Sequence, residues 1–220
     1  MRLIRPISTA QQVHEWLHGC VLRGDLLPGA RLSESEIAQQ VGLSRQPVRE
    51  AFIRLAADGL AEVLPQRGTY IGRISTSAIL SARLIREAVE ADLARMVARA
   101  RPDLSAMQAQ LGAQDRAHAA ADVPAFIEAD DLFHRAMAEA AGHPAVWSDL
   151  ERLKAQMNRL RHMAMRHFDR GQTIAQHRAI LAALLAGDAD AAEAAARTHL
   201  RQMLAELPQI AAAHPDYFTT

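Results

Sequence analysis

Residues 34–60, ESEIAQQVGLSRQPVREAFIRLAADGL, decide how the first part of the chain folds. Ser33 or Glu34 opens a short helix that ends at Gly42. Ser44 stands at an N-cap position, and Pro47 is tolerated in the first turn of the helix that follows. That helix carries Val48, Ala51, Phe52 and Leu55 on one side at helical spacing and stops at Gly59. Beyond it, residues 61–64, a turn at Pro65-Gln66-Arg67-Gly68 and residues 69–71 read as a small hairpin. Helix, tight turn, helix, hairpin is the order of a winged helix-turn-helix. Upstream, residues 8–22 form an amphipathic helical pattern, and a turn follows at Pro28-Gly29.

Arg45 and Arg49 are four residues apart and project away from the apolar side, with Gln46 beside them. Two arginines and a glutamine near a helix N-terminus suit the base edges of a major groove. Arg67, at the hairpin tip, suits a phosphate or the minor groove. The periodicity alone fits an ordinary helical hairpin with a solvated arginine face equally well.

The net charge is zero, with 25 basic and 25 acidic residues, so no broadly basic coat is present. Basic character is local: residues 1–75 hold nine Arg against seven Asp and Glu, and Lys154 is the only lysine of the chain. Cys20 is the only cysteine, which leaves no disulfide framework or thiolate zinc site. The first residues lack the apolar core of a signal peptide. No run approaches the ~18 apolar residues of a membrane span. The expected location is cytoplasmic, without membrane association.

After Gly72, Gly and Pro become sparse and Ala/Leu/Arg helical patterns take over. Helices are predicted at about 76–100, 103–120, 123–141, 144–168, 173–186 and 189–211, with breaks marked by Gly, Pro and Asp. The predicted class is mainly α, with domains at 1–75 and 76–220.

Four polar side chains fall on apolar faces of these helices. At about 100° per residue, Phe126, Phe133, Met137 and Ala141 form one arc, and Asp130 and His134 lie inside it. His177 lies among Ile174, Ile180, Leu181 and Leu184; His199 lies among Ala192, Ala196, Met203 and Leu207. Burying one such group without a partner costs roughly 2–7 kcal/mol if neutral and more if charged. Asp130 and His134, at i and i+4, point the same way. One divalent ion (Zn, Ni, Fe or Mn) would satisfy all four residues and leave positions open. Taken singly, each histidine reads first as a satisfied core residue; four matching positions together weigh against that reading. His162 and His167 would flank such a pocket but carry no pattern. Arg86 lies on an arc with Ile79, Ala82, Val89, Leu93 and Val97. It either pairs with Glu90, four residues on, or grips a carboxylate with its guanidinium fork.

The run 34–60 with the PQRGTYIG that follows closely resembles the N-terminal reader of the GntR family of bacterial transcription regulators. The likeness rests on PGARLSESEIA, GLSRQPVREA, LAADGL and the RG wing tip, and spans about 65 residues. It implies DNA contacts at Arg45, Gln46 and Arg49, with Ser44, Arg67 and Gly68 assisting. Ser35 stands where many relatives have Arg, so one expected contact is missing; Arg31 is the nearest substitute. Further on, REAVEADLARMVA, DDLFHRAMAEAAGH, QHRAILAALLAGD and ARTHL resemble the FCD effector domain of the FadR subfamily, over roughly 78–205.

That resemblance implies an antiparallel all-helical bundle in which Asp130, His134, His177 and His199 hold a metal and Arg86 binds a carboxylate. It departs at His143, where Asn is usual, which would alter a helix cap. It departs again at Gln176, where Glu often stands, which would alter the orientation of His177. The implied function is a dimeric, ligand-responsive transcription regulator, a repressor, on double-stranded operator DNA, with a small organic acid as effector. The alternatives are a metal-dependent enzyme built on the Asp/His3 set and a regulator with a purely structural metal.

Overall fold

The computed structural model describes residues 7–167 and 169–219, without the side chains at 166 and 167, so His167 lies outside the described side chains. The chain divides into two compact units, one running through Thr76 and including the tail from Ala213, the other spanning Ser77–Ala212. The tail is the departure from the sequence reading, which assigned all of 76–220 to the helical part.

In the first unit, Ser8 caps helix α1 (Thr9–Arg23) by accepting from the Gln11 N–H. Strand β1 (Arg31–Leu32) precedes α2 (Glu34–Val41), which Ser33 caps through the Glu36 N–H. Gly42, at φ 68°, ends α2 in a left-handed conformation that costs a glycine little. Helix α3 (Arg45–Ala57) packs on α1 and buries Val48, Ala51, Phe52 and Leu55, the four residues expected inside. Each large apolar side chain so buried stabilises by about 1.5–3 kcal/mol. Ser44 holds the N-cap position of α3, but its side chain makes no capping bond. Strands β2 (Ala61–Leu64) and β3 (Gly68–Ile71) form the antiparallel wing, and β1 adds to β3 to give the order β1-β3-β2. Strand β4 (Ile74–Ser75) pairs in parallel with β5 (Phe218–Thr219), which ties the C-terminal tail to this unit.

The second unit is all helical. It comprises α4 (Thr76–Ala100), α5 (Ser105–Ala119), α6 (Val123–Ala140), α7 (Pro144–Leu153), α8 (Ala155–His167), α9 (Arg170–Ala186) and α10 (Ala189–Ala213). Its core gathers Val97 of α4, Met107 of α5, Phe126, Phe133 and Met137 of α6, Ile180 and Leu184 of α9, and Ala196 of α10.

One predicted helix, 144–168, is two. The break falls at Lys154, whose backbone leaves the helical region (φ −92°, ψ 10°). Its side chain turns inward and is buried; the ammonium donates to Asp131 Oδ1 at 2.9 Å and sits 4.0 Å from the Trp147 ring centroid. No Gly or Pro marks the break, because its cause is a tertiary ion pair. Helix α10 continues through Pro208 to Ala213, slightly past the expected end.

Candidate DNA-reading face and metal centre

Ser44, Arg45, Gln46 and Arg49 cluster at the start of α3, all solvent-exposed. Arg67 and Gly68 sit at the wing tip, where the Tyr70 hydroxyl braces the turn by donating to the Arg67 carbonyl at 3.1 Å. Arg31 lies beside this tip; a Cβ at Gly68 would stand 3.4 Å from Arg31 Nε. Glu34 organises the two helix arginines. It accepts from Arg49 Nε at 2.8 Å and Nη2 at 3.0 Å, and from Arg45 Nη2 at 3.1 Å. The hydrogen bond from Arg49 is the main cause of a lowered Glu34 pKa. Sequence reading took Glu34 only as a helix start; its partners lie on another helix, where local periodicity gives no signal.

In the helical unit, α6 supplies Asp130 and His134 one turn apart, α9 supplies His177 and α10 supplies His199. One ligand atom from each lies within 4.8 Å of all the others. His199 Nε2 is 3.2 Å from both His177 Nε2 and His134 Nε2. Asp130 Oδ1 is 3.7 Å from His177 Nε2, and Oδ2 is 3.8 Å from His134 Nε2. Bonds of about 2.0–2.1 Å to one ion, at tetrahedral to octahedral angles, separate ligand nitrogens by roughly 2.9–3.4 Å.

Each of the four residues has an outer partner from a different helix. Gln114 of α5 accepts at its Oε1 from His177 Nδ1, at 2.8 Å. Gln176 of α9 accepts from His199 Nδ1 at 3.0 Å. This corrects the expectation that Gln176 orients its neighbour His177: it reaches across to α10 instead. Glu90 Oε2 of α4 stands 2.6 Å from His134 Nδ1, an ionic contact in which neither atom has an aligned hydrogen bond. Arg161 of α8 pairs through Nη2 with Asp130 Oδ2 and through Nη1 with Asp131 Oδ1, the latter at 2.7 Å. Oxygen acceptors at the Nδ1 atoms of His177 and His199 place their ring protons there, so the two Nε2 lone pairs face each other. Facing lone pairs at 3.2 Å repel unless a cation lies between them. Burial, reinforced by the neighbouring rings, holds His177 and His199 well below the usual imidazole range, so both are neutral donors near pH 7. The donor set fits a divalent transition metal. His143 begins α7 without a side-chain capping bond.

Arg86 does pair with Glu90, Nε to Oε1 at 2.5 Å. Burial alone would raise the Glu90 carboxyl, but Arg86 and His134 hold it well below the carboxylate range. The Arg86 side chain is 4% exposed, yet its Nη2 has no hydrogen-bond partner. Arg86, Asp130, Arg161 and His199 line a common cavity of about 50 Å3, with Met157, Met165 and Met203 in its walls. Sequence reading missed Gln114 and Arg161. Gln114 is fully buried on an otherwise apolar face of α5, a signal of the kind that singled out the histidines. Arg161 stands in a helix rich in arginine, where nothing sets it apart.

The FCD domain family matches residues 82–202, and the family described as bacterial regulatory proteins, gntR family, matches residues 9–71. The HTH-type transcriptional repressor RspR of Escherichia coli (strain K12) is 34% identical over 212 residues, covering 95% of this chain and 93% of the relative. The solved structure of E. coli McbR/YncC is similar at TM-score 0.76 and 26% identity, covering 93% of this chain and 99% of the other. A GntR transcriptional regulator from Rhodococcus sp. RHA1 is similar at TM-score 0.77 and 28% identity, over 91% and 97% of the two chains.

Proposed function

The chain belongs to the GntR family of bacterial regulatory proteins and carries an FCD domain, and from that membership we propose a repressor released from its operator by a small organic acid bound at a metal centre. Arg45, Gln46 and Arg49 read bases; Ser44, Arg67 and Gly68 contact the backbone or groove. Two copies bind as a homodimer, so that protein symmetry matches a palindromic operator. The repressor reading is supported by the name of the similar RspR. The protein works in the cytoplasm.

Asp130, His134, His177 and His199 would hold the divalent metal, which supplies a Lewis-acid anchor for a carboxylate. Glu90, Gln114 and Gln176 orient the imidazoles, and Arg161 holds Asp130. Arg86 offers its Nη2 to the effector carboxylate. The single observation that carries this reading is the convergence of three Nε2 atoms beside a buried guanidinium nitrogen that lacks a partner. Effector binding shifts the population away from the DNA-competent state.

Elemental analysis of purified protein tests the centre. About one transition metal per chain, lost in His134→Ala, is the expected result. No metal in either protein after incubation with Zn2+ or Ni2+ would make these core histidines. Operator release tests the effector role: Arg86→Ala should abolish acid-dependent release, and unchanged release would remove Arg86 from it.

A further inference from the structure

Lys154 is the only lysine among the 25 basic residues of the chain, and it is buried. Its ammonium donates to Asp131 Oδ1 at 2.9 Å. The same oxygen accepts from Arg161 Nη1 at 2.7 Å. The other arm of that guanidinium, Nη2, pairs with Asp130 Oδ2. Arg161 therefore spans two neighbouring carboxylates of α6, one beside Lys154 and one in the candidate metal centre. The ammonium also lies 4.0 Å from the Trp147 ring centroid. That ring stacks parallel to His134, with centroids 6.3 Å apart and planes inclined at 4°. Two lines of contact thus lead from Lys154 to the centre: through Asp131 and Arg161 to Asp130, and through Trp147 to His134.

A guanidinium fork readily gives both arms to one carboxylate. Asp131 would offer itself as such a partner if it faced Arg161 alone. Lys154 already occupies Asp131 Oδ1, so Arg161 gives that oxygen one arm and keeps the other for Asp130. Held at Oδ2, Asp130 keeps Oδ1 towards His177 Nε2, at 3.7 Å. The fork is planar and rigid, so a shift of Asp131 tilts it and carries over to Asp130. Neutralising Asp131 does not require the ammonium, because Arg161 is paired with the same carboxylate. Yet a helix is broken and an ammonium is taken out of water to bring it there.

We propose that Lys154 is a positioning residue of the metal centre: it keeps Asp131 from taking both arms of Arg161, and so holds Asp130 where it can meet the ion. The proposal rests on the metal reading above and extends it to the break between α7 and α8. Such coupling is reciprocal. What Lys154 does for the ion, the ion does for Lys154, so filling the centre steadies the α7–α8 break.

Titration of the full chain with Zn2+ tests this through two readouts. In the parent chain labelled with 13C-lysine, Lys154 supplies the single lysine Cε signal, which needs no assignment. That signal should give way to a second one as Zn2+ is added, complete at about one equivalent. Lys154→Met keeps the length of the side chain without its charge. It should bind Zn2+ about tenfold more weakly in competition with a chelator, the lower end of what loss of an outer partner does. A lysine signal indifferent to Zn2+, or a Lys154→Met chain that binds Zn2+ as tightly as the parent, would overturn the proposal and leave the metal reading standing. A parent chain that takes up no Zn2+ would remove both. If Lys154→Met does not fold, the signal of the parent chain decides alone.

Discussion

Gln114 Oε1 lies 2.8 Å from His177 Nδ1, a contact between α5 and α9 across 63 residues. Both side chains are fully buried, so no water can replace either partner cheaply. Removing the amide frees the imidazole to rotate or change tautomer. Gln114→Ala should therefore lower metal affinity about 10- to 100-fold, as loss of an outer partner commonly does. Competition with a chromogenic chelator reads this directly, and an unchanged affinity would mean that packing alone orients His177.

Glu34 holds Arg45 and Arg49 on one carboxylate. The contact pre-orders two long side chains but adds a negative charge next to the expected phosphates. Glu34→Ala should raise affinity for random duplex and cut the ratio of specific to non-specific binding by about tenfold. Arg49→Ala should cost about 1–3 kcal/mol of specific binding. Fluorescence anisotropy with an operator selected from random duplexes, at two salt concentrations, separates the two effects. An unaltered ratio in Glu34→Ala would reduce Glu34 to a surface ion pair.

Acid should loosen the helical unit through Glu87. This carboxylate is 5% exposed and receives Arg201, Arg197 and Arg83, linking α4 to α10. The hydrogen bond from Arg201 is the largest cause of a pKa below the ordinary value, and burial opposes it. The folded value lies below the unfolded one, so the stabilisation is complete above the unfolded pKa and disappears as pH falls through the folded one. Glu87→Gln should cost about 1–3 kcal/mol at pH 7 and flatten the loss of stability below pH 4.5. Urea denaturation at several pH values, followed by circular dichroism, gives both numbers; an acid limb identical to that of the parent chain would exclude Glu87 as its source.

Phe133 is fully buried and stacks on the His177 ring, with centroids 4.4 Å apart and planes inclined at 20°. Phe133→Ala should destabilise the fold by about 3–5 kcal/mol through lost transfer energy and a residual cavity. Chemical denaturation measures it. A loss below about 1 kcal/mol would mean that the α6–α9 packing collapses into the space.

Much of the site is legible along the chain. Helical periodicity is local, so a carboxylate or imidazole on an apolar arc stands out without knowledge of the partner helix. That is how Asp130, His134, His177, His199 and Arg86 are found; the first four cluster within 4.8 Å, and Arg86 lines a cavity with Asp130 and His199. The winged helix-turn-helix is legible for the same reason: its caps, turn glycines and buried face lie within a single stretch, 33–71.

By itself, then, the sequence determined which side chains face inward and where most helices begin and end. Tertiary structure alone decided which inward-facing groups meet. Gln176 serves His199 and not its neighbour in sequence, Arg161 holds Asp130, and Lys154 breaks a helix to reach Asp131. The tail returns to pair with β4. These contacts depend on how helices cross and how far side chains reach over them. Spacing within one helix specifies a face; it does not specify the residue that another helix brings opposite it.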